Sequence, residues 1–267
     1  MPGRAAAPLL SDLLAGLVGA GRARDVPDAP ILGLTLDIRE VRAGWLFLAV
    51  PGAAQDGRRY IREAVARGAA AVLYEADPGI EATEANVPVI AVTDLKQRVG
   101  LIADRFFGAP SHQLSVIGVT GTNGKTTCTQ LLAQALDAPG RRCALIGTLG
   151  TGFPDALDRS THTTPDAVRV HALLADFVRS GAVTVCMEVS SHALDQGRVT
   201  GVAFELALLT NLSRDHLDYH ATMEAYGAAK ARLFECAGLK RAVINQDDPF
   251  GRALLHRLAG RQAVTGY

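Results

Sequence analysis

A chain of 267 residues is long enough for two domains, each with its own core. Forty-eight per cent hydrophobic and 20% charged residues describe an ordinary globular chain, and 27 basic residues against 27 acidic ones leave no net field that would argue for nucleic acid or membrane insertion. Cys128, Cys143, Cys186 and Cys236 lack C-x-x-C spacing, which argues against a zinc site or disulfide framework and for a reducing, cytoplasmic setting.

The opening PLLSDLLAGLVGAG is too short to span a bilayer and contains Asp12. Leu9, Leu10, Leu13, Leu14 and Leu17 recur at helical spacing, so the stretch reads as an amphipathic helix on the first domain rather than a signal peptide. Residues 31–50 carry strand patterns, clearest in WLFLAV at 45–50, and Pro51-Gly52 ends them. A helix over 58–67 with Ile61 and Val65 on one face, a strand over 69–74 and another over 89–92 complete a small α/β unit. Asp94 stands where it could cap a helix reaching about Phe107, and the domain boundary is expected near residue 93, giving domains 1–93 and 94–267.

Residues 116–127 read VIGVTGTNGKTT: a short buried strand, a turn bracketed by glycines, and Lys-Thr-Thr opening a helix. Such a turn points backbone N–H groups inward, and the helix adds the positive end of its dipole, which makes a phosphate cradle. Gly121 and Gly124 admit close approach of an anion, Lys125 would reach outer phosphates, and Thr126 would offer a hydroxyl to Mg2+. The general pattern G-x-x-x-x-G-K-[ST] has glycine where this chain has Val119, so the loop is the shorter TGTNGKTT variant. The plain alternative is a glycine-rich turn with an exposed lysine.

Further along, 142–146 reads as a strand, and Pro165 after Thr164 as the first turn of a helix that runs through Val178 and stops at Gly181. Residues 182–189, 204–209 and 241–244 are apolar runs of the kind buried parallel strands show. Strands alternating with helices imply a parallel sheet with ligands at the carboxyl ends of its strands. Glu188 closes one such run; there an acid is costly unless it meets a pocket or a cation, and magnesium suits the position, with a solvated strand end as the alternative. TNLSRDHLDYH at 210–220 gathers two acids and two histidines that could serve a metal or phosphates, or form a polar surface loop. On a helix starting near Thr222, Met223, Tyr226, Lys230 and Leu233 share one face, which puts Lys230 on an apolar stripe, where burial would lower its pKa and make the amine reactive, including toward carbon dioxide.

These segments, with THTTPDAV at 161–168, MEVSSHALDQGRV at 187–199 and AAK at 228–230, resemble the Mur ligases of peptidoglycan synthesis over nearly the whole chain. Within the family they are most similar to the branch that adds the third amino acid, diaminopimelate or lysine, to UDP-N-acetylmuramoyl-L-alanyl-D-glutamate. The resemblance implies an α/β fold, a small amino-terminal domain followed by a P-loop-type central domain with a mostly parallel sheet. It implies an ATP-dependent amide ligase acting through an acyl phosphate, with ATP and Mg2+ required. Gly121, Thr122, Asn123, Gly124, Lys125, Thr126 and Thr127 would bind ATP; Lys125, Glu188, His216 and Lys230 would be catalytic. Thr126, Glu188, His216 and Lys230 would serve the metal, Lys230 as the carbamate N6-carboxylysine. His162, Thr163, Thr164, Ser190, Gln196 and Arg198 would grip the UDP-N-acetylmuramoyl dipeptide, and Leu36, Ile38, Ala54, Gln55 and Asp56 its uridine end.

Two positions depart from the family pattern: Asp37-Ile38-Arg39 stands where D-S-R is usual, which removes a hydroxyl, and His162 where asparagine is frequent. Family members continue into a third domain that binds the incoming amino acid, whereas this sequence stops at Tyr267, so the 267 residues are expected to be an amino-terminal part with weak nucleotide binding and little turnover. A non-catalytic nucleotide-binding paralogue and a folate polyglutamylating ligase are the competing readings.

Overall fold

In a computed structural model, residues 6–18, 26–52, 55–77, 85–159 and 163–267 are described. Contacts divide the chain into two compact units, Met1–Gly108 and Ala109–Tyr267.

The first unit is built on four parallel strands in the order β1-β2-β3-β4: Gly33–Thr35, Trp45–Ala49, Ala71–Glu75 and Val89–Val92. The central strands WLFLA and AVLYE are apolar up to the terminal Glu75 because both sheet faces are covered. Phe47, Ala49, Val72 and Tyr74 pack against Ile61 and Ala64 of helix α2 (Ile61–Ala66), which a 3-10 turn at Gly57–Tyr60 precedes. Helix α1 (Leu10–Leu14) buries Leu10, Leu13 and Leu14, as the leucine spacing predicts, though it is shorter than the apolar stretch. Helix α3 (Leu95–Phe106) packs on α1 and β3. Arg98 and Arg105 of α3 donate to the carbonyls of Leu17 and Leu13, pairing groups that a helix end leaves open.

Two expectations change here. Asp94 adopts a left-handed conformation (φ 54°) and makes no side-chain cap; Glu75 Oε2 accepts the Lys96 N–H instead, at 2.9 Å. A strand-end acid of β3 thus ties α3 to the first sheet, and the division of the chain falls after Gly108 rather than near residue 93.

The second unit carries an eight-stranded sheet in the order β12-β11-β10-β5-β9-β6-β7-β8. Its parallel members are β5 (Ser115–Thr120), β6 (Arg142–Gly147), β9 (Ala182–Glu188), β10 (Phe204–Leu209), β11 (Arg241–Ile244) and β12 (Ala263–Gly266). The mostly parallel α/β architecture is the expected one. Three short strands were not expected: β12, which pairs with β11 at one edge, and β7 (Gly150–Phe153) and β8 (Ala156–Asp158), which run antiparallel and extend the sheet beyond β6.

Alternation along the strands sends Val116, Ala144, Val185 and Met187 into one core with helix α5 (Ala167–Arg179), and Ile117, Val119, Cys143, Leu145 and Cys186 into another beneath helix α4 (Lys125–Leu136). Helix α5 starts at Ala167 rather than at Pro165, because Asp166 caps it by accepting the Arg169 N–H at 3.0 Å. Helix α9 (Pro249–Leu258), which the sequence patterns left unread, has the same device: Asp248 accepts the Gly251 N–H, with Pro249 in the first turn.

Candidate functional site

The carboxyl ends of β10, β5 and β9 lie side by side, and the 121–124 turn leads from β5 directly into α4. Gly121 has φ 147° and faces Thr210 so closely that a Cβ would sit 1.9 Å from the Thr210 hydroxyl; Gly124 has φ 83°. Only glycine satisfies both demands at Gly121. The segment after β10 holds the turn in place: Asn211 O accepts the Thr122 N–H at 2.9 Å, Asn211 Oδ1 accepts the Asn123 N–H at 3.1 Å, and Thr210 Oγ1 donates to Asn123 O at 2.6 Å. Thr122 and Asn123 therefore shape the cradle, their amides being committed to Asn211. The N–H groups that open α4, from Lys125 to Thr127, are the ones a helix start presents to an anion.

Lys125 Nζ lies across the turn and donates to Gly121 O at 3.0 Å and Thr122 O at 2.9 Å. Burial lowers its pKa, against the opposing pull of Glu188 and Asp215. Lys230, on helix α8 (Met223–Ala231, starting where expected and capped by Thr222), is 1% exposed and donates to the same Gly121 O at 2.7 Å, its ammonium 4.3 Å from the Tyr226 ring centroid. Burial first and the charge of Lys125 second push the Lys230 pKa down to about 7, with Asp215 opposing. The apolar placement read from spacing is therefore real.

Glu188 is also 1% exposed. Thr126 Oγ1 donates to its Oε2 at 2.9 Å, and the Thr148 N–H to Oε1 at 2.8 Å. A Cβ on Gly147 would fall 2.3 Å from Oε1, so the glycine makes room for the carboxylate. Thr164 Oγ1 donates to Glu188 O at 2.8 Å and accepts the Ser190 N–H at 3.2 Å. Arg198 reaches Thr164 O at 2.9 Å and the Gln196 side-chain oxygen at 2.7 Å, while the Gln196 amide donates to Tyr219 OH. Ser190 caps the short helix α6 (Ser191–Asp195) through the Ala193 N–H.

Thr164, Ser190, Gln196 and Arg198 thus form one network on the Glu188 carbonyl, Thr163 meets the Glu188 side only through the Thr148 hydroxyl at 3.0 Å, and His162 lies outside the described residues. His216 is left-handed (φ 51°) and half exposed, its ring 6.0 Å from that of Tyr226 and edge-on to His192, so it meets the Lys230 side of the group through Tyr226. Among the described residues no three His, Cys, Asp or Glu side chains converge as a metal site. In the first unit, Leu36 and Ile38 follow the end of β1, and Gln55 and Asp56 follow the adjacent parallel β2; Ala54 lies outside the described residues. Asp56 is held by Arg58, which lowers its pKa. Sequence reasoning did not single out Thr148, for which a Gly-Thr after a predicted strand was the one signal; it met Asn211 only within the 210–220 segment and Tyr226 only as a member of the face that carries Lys230.

A family model described as the Mur ligase middle domain matches residues 119–266. The chain belongs to the Mur ligase family. A second model, described as the Mur ligase family catalytic domain, matches residues 30–107, ending where the first unit ends. A Pseudomonas aeruginosa protein named UDP-N-acetylmuramoyl-L-alanyl-D-glutamate--2,6-diaminopimelate ligase is 57% identical over 235 residues, 88% of this chain and 47% of that protein. One of the same name from Ectopseudomonas mendocina is 59% identical over 234 residues, 88% of this chain and 48% of that protein. A solved structure of a ligase so named superposes with a TM-score of 0.80 at 38% identity, covering 91% of this chain and 49% of that one. The chain spans about half the length of the curated relatives it matches.

Proposed function

We propose that the chain supplies the nucleotide-sugar and ATP sites of a cytoplasmic ligase that joins 2,6-diaminopimelate to UDP-N-acetylmuramoyl-L-alanyl-D-glutamate in peptidoglycan synthesis. The observation that carries the reading is the meeting of Thr126 and Glu188 at 2.9 Å beside a turn whose Gly121 carbonyl receives both Lys125 and Lys230. The names of the relatives support diaminopimelate as the added amino acid. No described helix is long and apolar enough to cross a membrane, and all four cysteines are free, which suits a reducing compartment.

The residues do mainly positioning and charge neutralisation. The amides opening α4 and Lys125 hold the triphosphate of ATP; Thr163, Thr164, Ser190, Gln196 and Arg198 present the glutamate carboxylate of the dipeptide. Transfer of the γ-phosphoryl group to that carboxylate releases ADP and leaves an acyl phosphate, from which the incoming amine displaces phosphate. Leu36, Ile38, Gln55 and Asp56, at the carboxyl ends of adjacent strands, are placed to take the uridine end.

The donor set fits magnesium: hard oxygens from Thr126 and Glu188 and few protein carboxylates, as suits an ion held mainly by phosphate and water. When bound, the ion neutralises charge on the phosphoryl oxygens. Lys230 fits the modified form. Its depressed pKa supplies neutral amine near pH 7 for reaction with carbon dioxide, and the carbamate would add an anion beside the Gly121 turn. Thr120 Oγ1 is buried without a hydrogen-bond partner, one residue before the carbonyl that receives Lys230.

The test is phosphate release by the complete protein that requires both the UDP-muramoyl dipeptide and diaminopimelate. Release that ignores either substrate, or ATP binding without any release, would favour a non-catalytic module.

A further inference from the structure

The turn between β6 and β7 consists of Thr148 and Leu149, flanked by the paired Gly147 and Gly150. Neither glycine carries a Cβ, and at Gly147 that absence lets the turn lie directly against the Glu188 carboxylate. Thr148 then touches the acid twice: its N–H donates to Oε1 at 2.8 Å and its hydroxyl lies 3.2 Å from Oε2. The same hydroxyl is 3.0 Å from Thr163 Oγ1. Thr148 Oγ1 is placed to donate to Glu188 Oε2 or to Thr163 Oγ1, and with one proton to give it serves one of them at a time, the charged carboxylate being the stronger acceptor.

With Thr126 also donating to Oε2, three of roughly four lone-pair directions on the carboxylate are occupied, and the fourth is on Oε1. Thr148 thereby sets which oxygen faces a cation. It also connects that carboxylate to a threonine of the proposed dipeptide site through a single oxygen atom.

We propose that Thr148 is a positioning residue: it orients Glu188 toward the metal and Thr163 toward the dipeptide, so that the two substrates' sites are aligned by one hydroxyl. This rests on the function proposed above, but half of its test does not. Thr148→Val keeps the shape and the backbone N–H and removes the hydroxyl; Thr148→Ser keeps the hydroxyl.

On the 267-residue chain, calorimetry of ATP binding with and without magnesium reads the Glu188 arm directly. Thr148→Val is expected to lose most of the tightening that magnesium gives, and Thr148→Ser to retain it. In the complete protein, Thr148→Val is expected to lower kcat roughly ten- to a hundred-fold, the worth of a hydrogen bond to a charged group, and to raise KM for the dipeptide severalfold, with Thr148→Ser near wild type. Equal impairment of both variants, or a Val variant with unchanged magnesium response and dipeptide KM, would overturn the proposal. If the wild-type protein shows no dipeptide-dependent phosphate release while the magnesium response still follows the hydroxyl, the proposed reaction fails and the role of Thr148 at Glu188 stands.

Discussion

Because Lys230 is 1% exposed, its ammonium is harder to keep in the folded chain than in the unfolded one, where it titrates near its ordinary 10.5. Between about 7 and that value the unfolded state binds more protons, so unfolding free energy must climb with pH over this window and be independent of Lys230 below it. Urea titrations of wild type and Lys230→Met at pH 6 through 9 in CO2-free buffer are expected to show a steeper climb in the wild type, since Lys125, whose pKa burial also lowers, remains in both. Gly147→Ala, whose Cβ would strike Glu188 Oε1, is expected to cost about 1–3 kcal/mol in the same assay and to abolish the magnesium response of ATP binding. The sequence revealed Lys230 because a helix converts spacing into a face. It concealed Thr148 because that residue matters only once two strands distant in sequence, β6 and β9, are neighbours.

Among the elements, the capping aspartates are informative as a pair. Asp166 holds one helix start, through the Arg169 N–H, and Asp166→Ala is expected to cost about 1 kcal/mol. Asp248 holds the start of α9 with one oxygen and accepts the Leu212 N–H with the other at 2.8 Å. Its removal is expected to cost about 2 kcal/mol, one cap plus one hydrogen bond to a charged acceptor, and also to weaken ATP binding, since Leu212 follows the Asn211 that secures the cradle. Chemical denaturation and nucleotide calorimetry on the two variants separate these effects. While β12, AVTG, was left unread, most of the parallel strands were legible as mainly apolar runs, because a sheet covered on both faces favours apolar positions. The hairpin of β7 and β8 was not: GTGF and ALD are too short and too rich in glycine to show alternation, and they are ordered by pairing to β6. The boundary was misplaced for a similar reason, a hydrogen bond from Lys96 to Glu75 across 21 residues of sequence.

For the molecule as a whole, each unit has its own sheet and core, and residues 109–267 expressed alone are expected to melt cooperatively and to keep ATP binding, as circular dichroism and calorimetry would show. The shared carbonyl of Gly121 has a consequence for solution thermodynamics. Two cationic side chains rest on one oxygen, so each raises the electrical cost of the other, and a polyanion seated against Lys125 relieves that cost at Lys230. The amine must then draw hydrogen ions from the medium, and the heat released when tripolyphosphate is titrated in at pH 7.5 must differ between HEPES and Tris in proportion to their ionisation enthalpies. In Lys230→Met that buffer dependence shrinks to what Lys125 alone supplies, which makes the neighbouring lysine a built-in reporter of whether the cradle is filled.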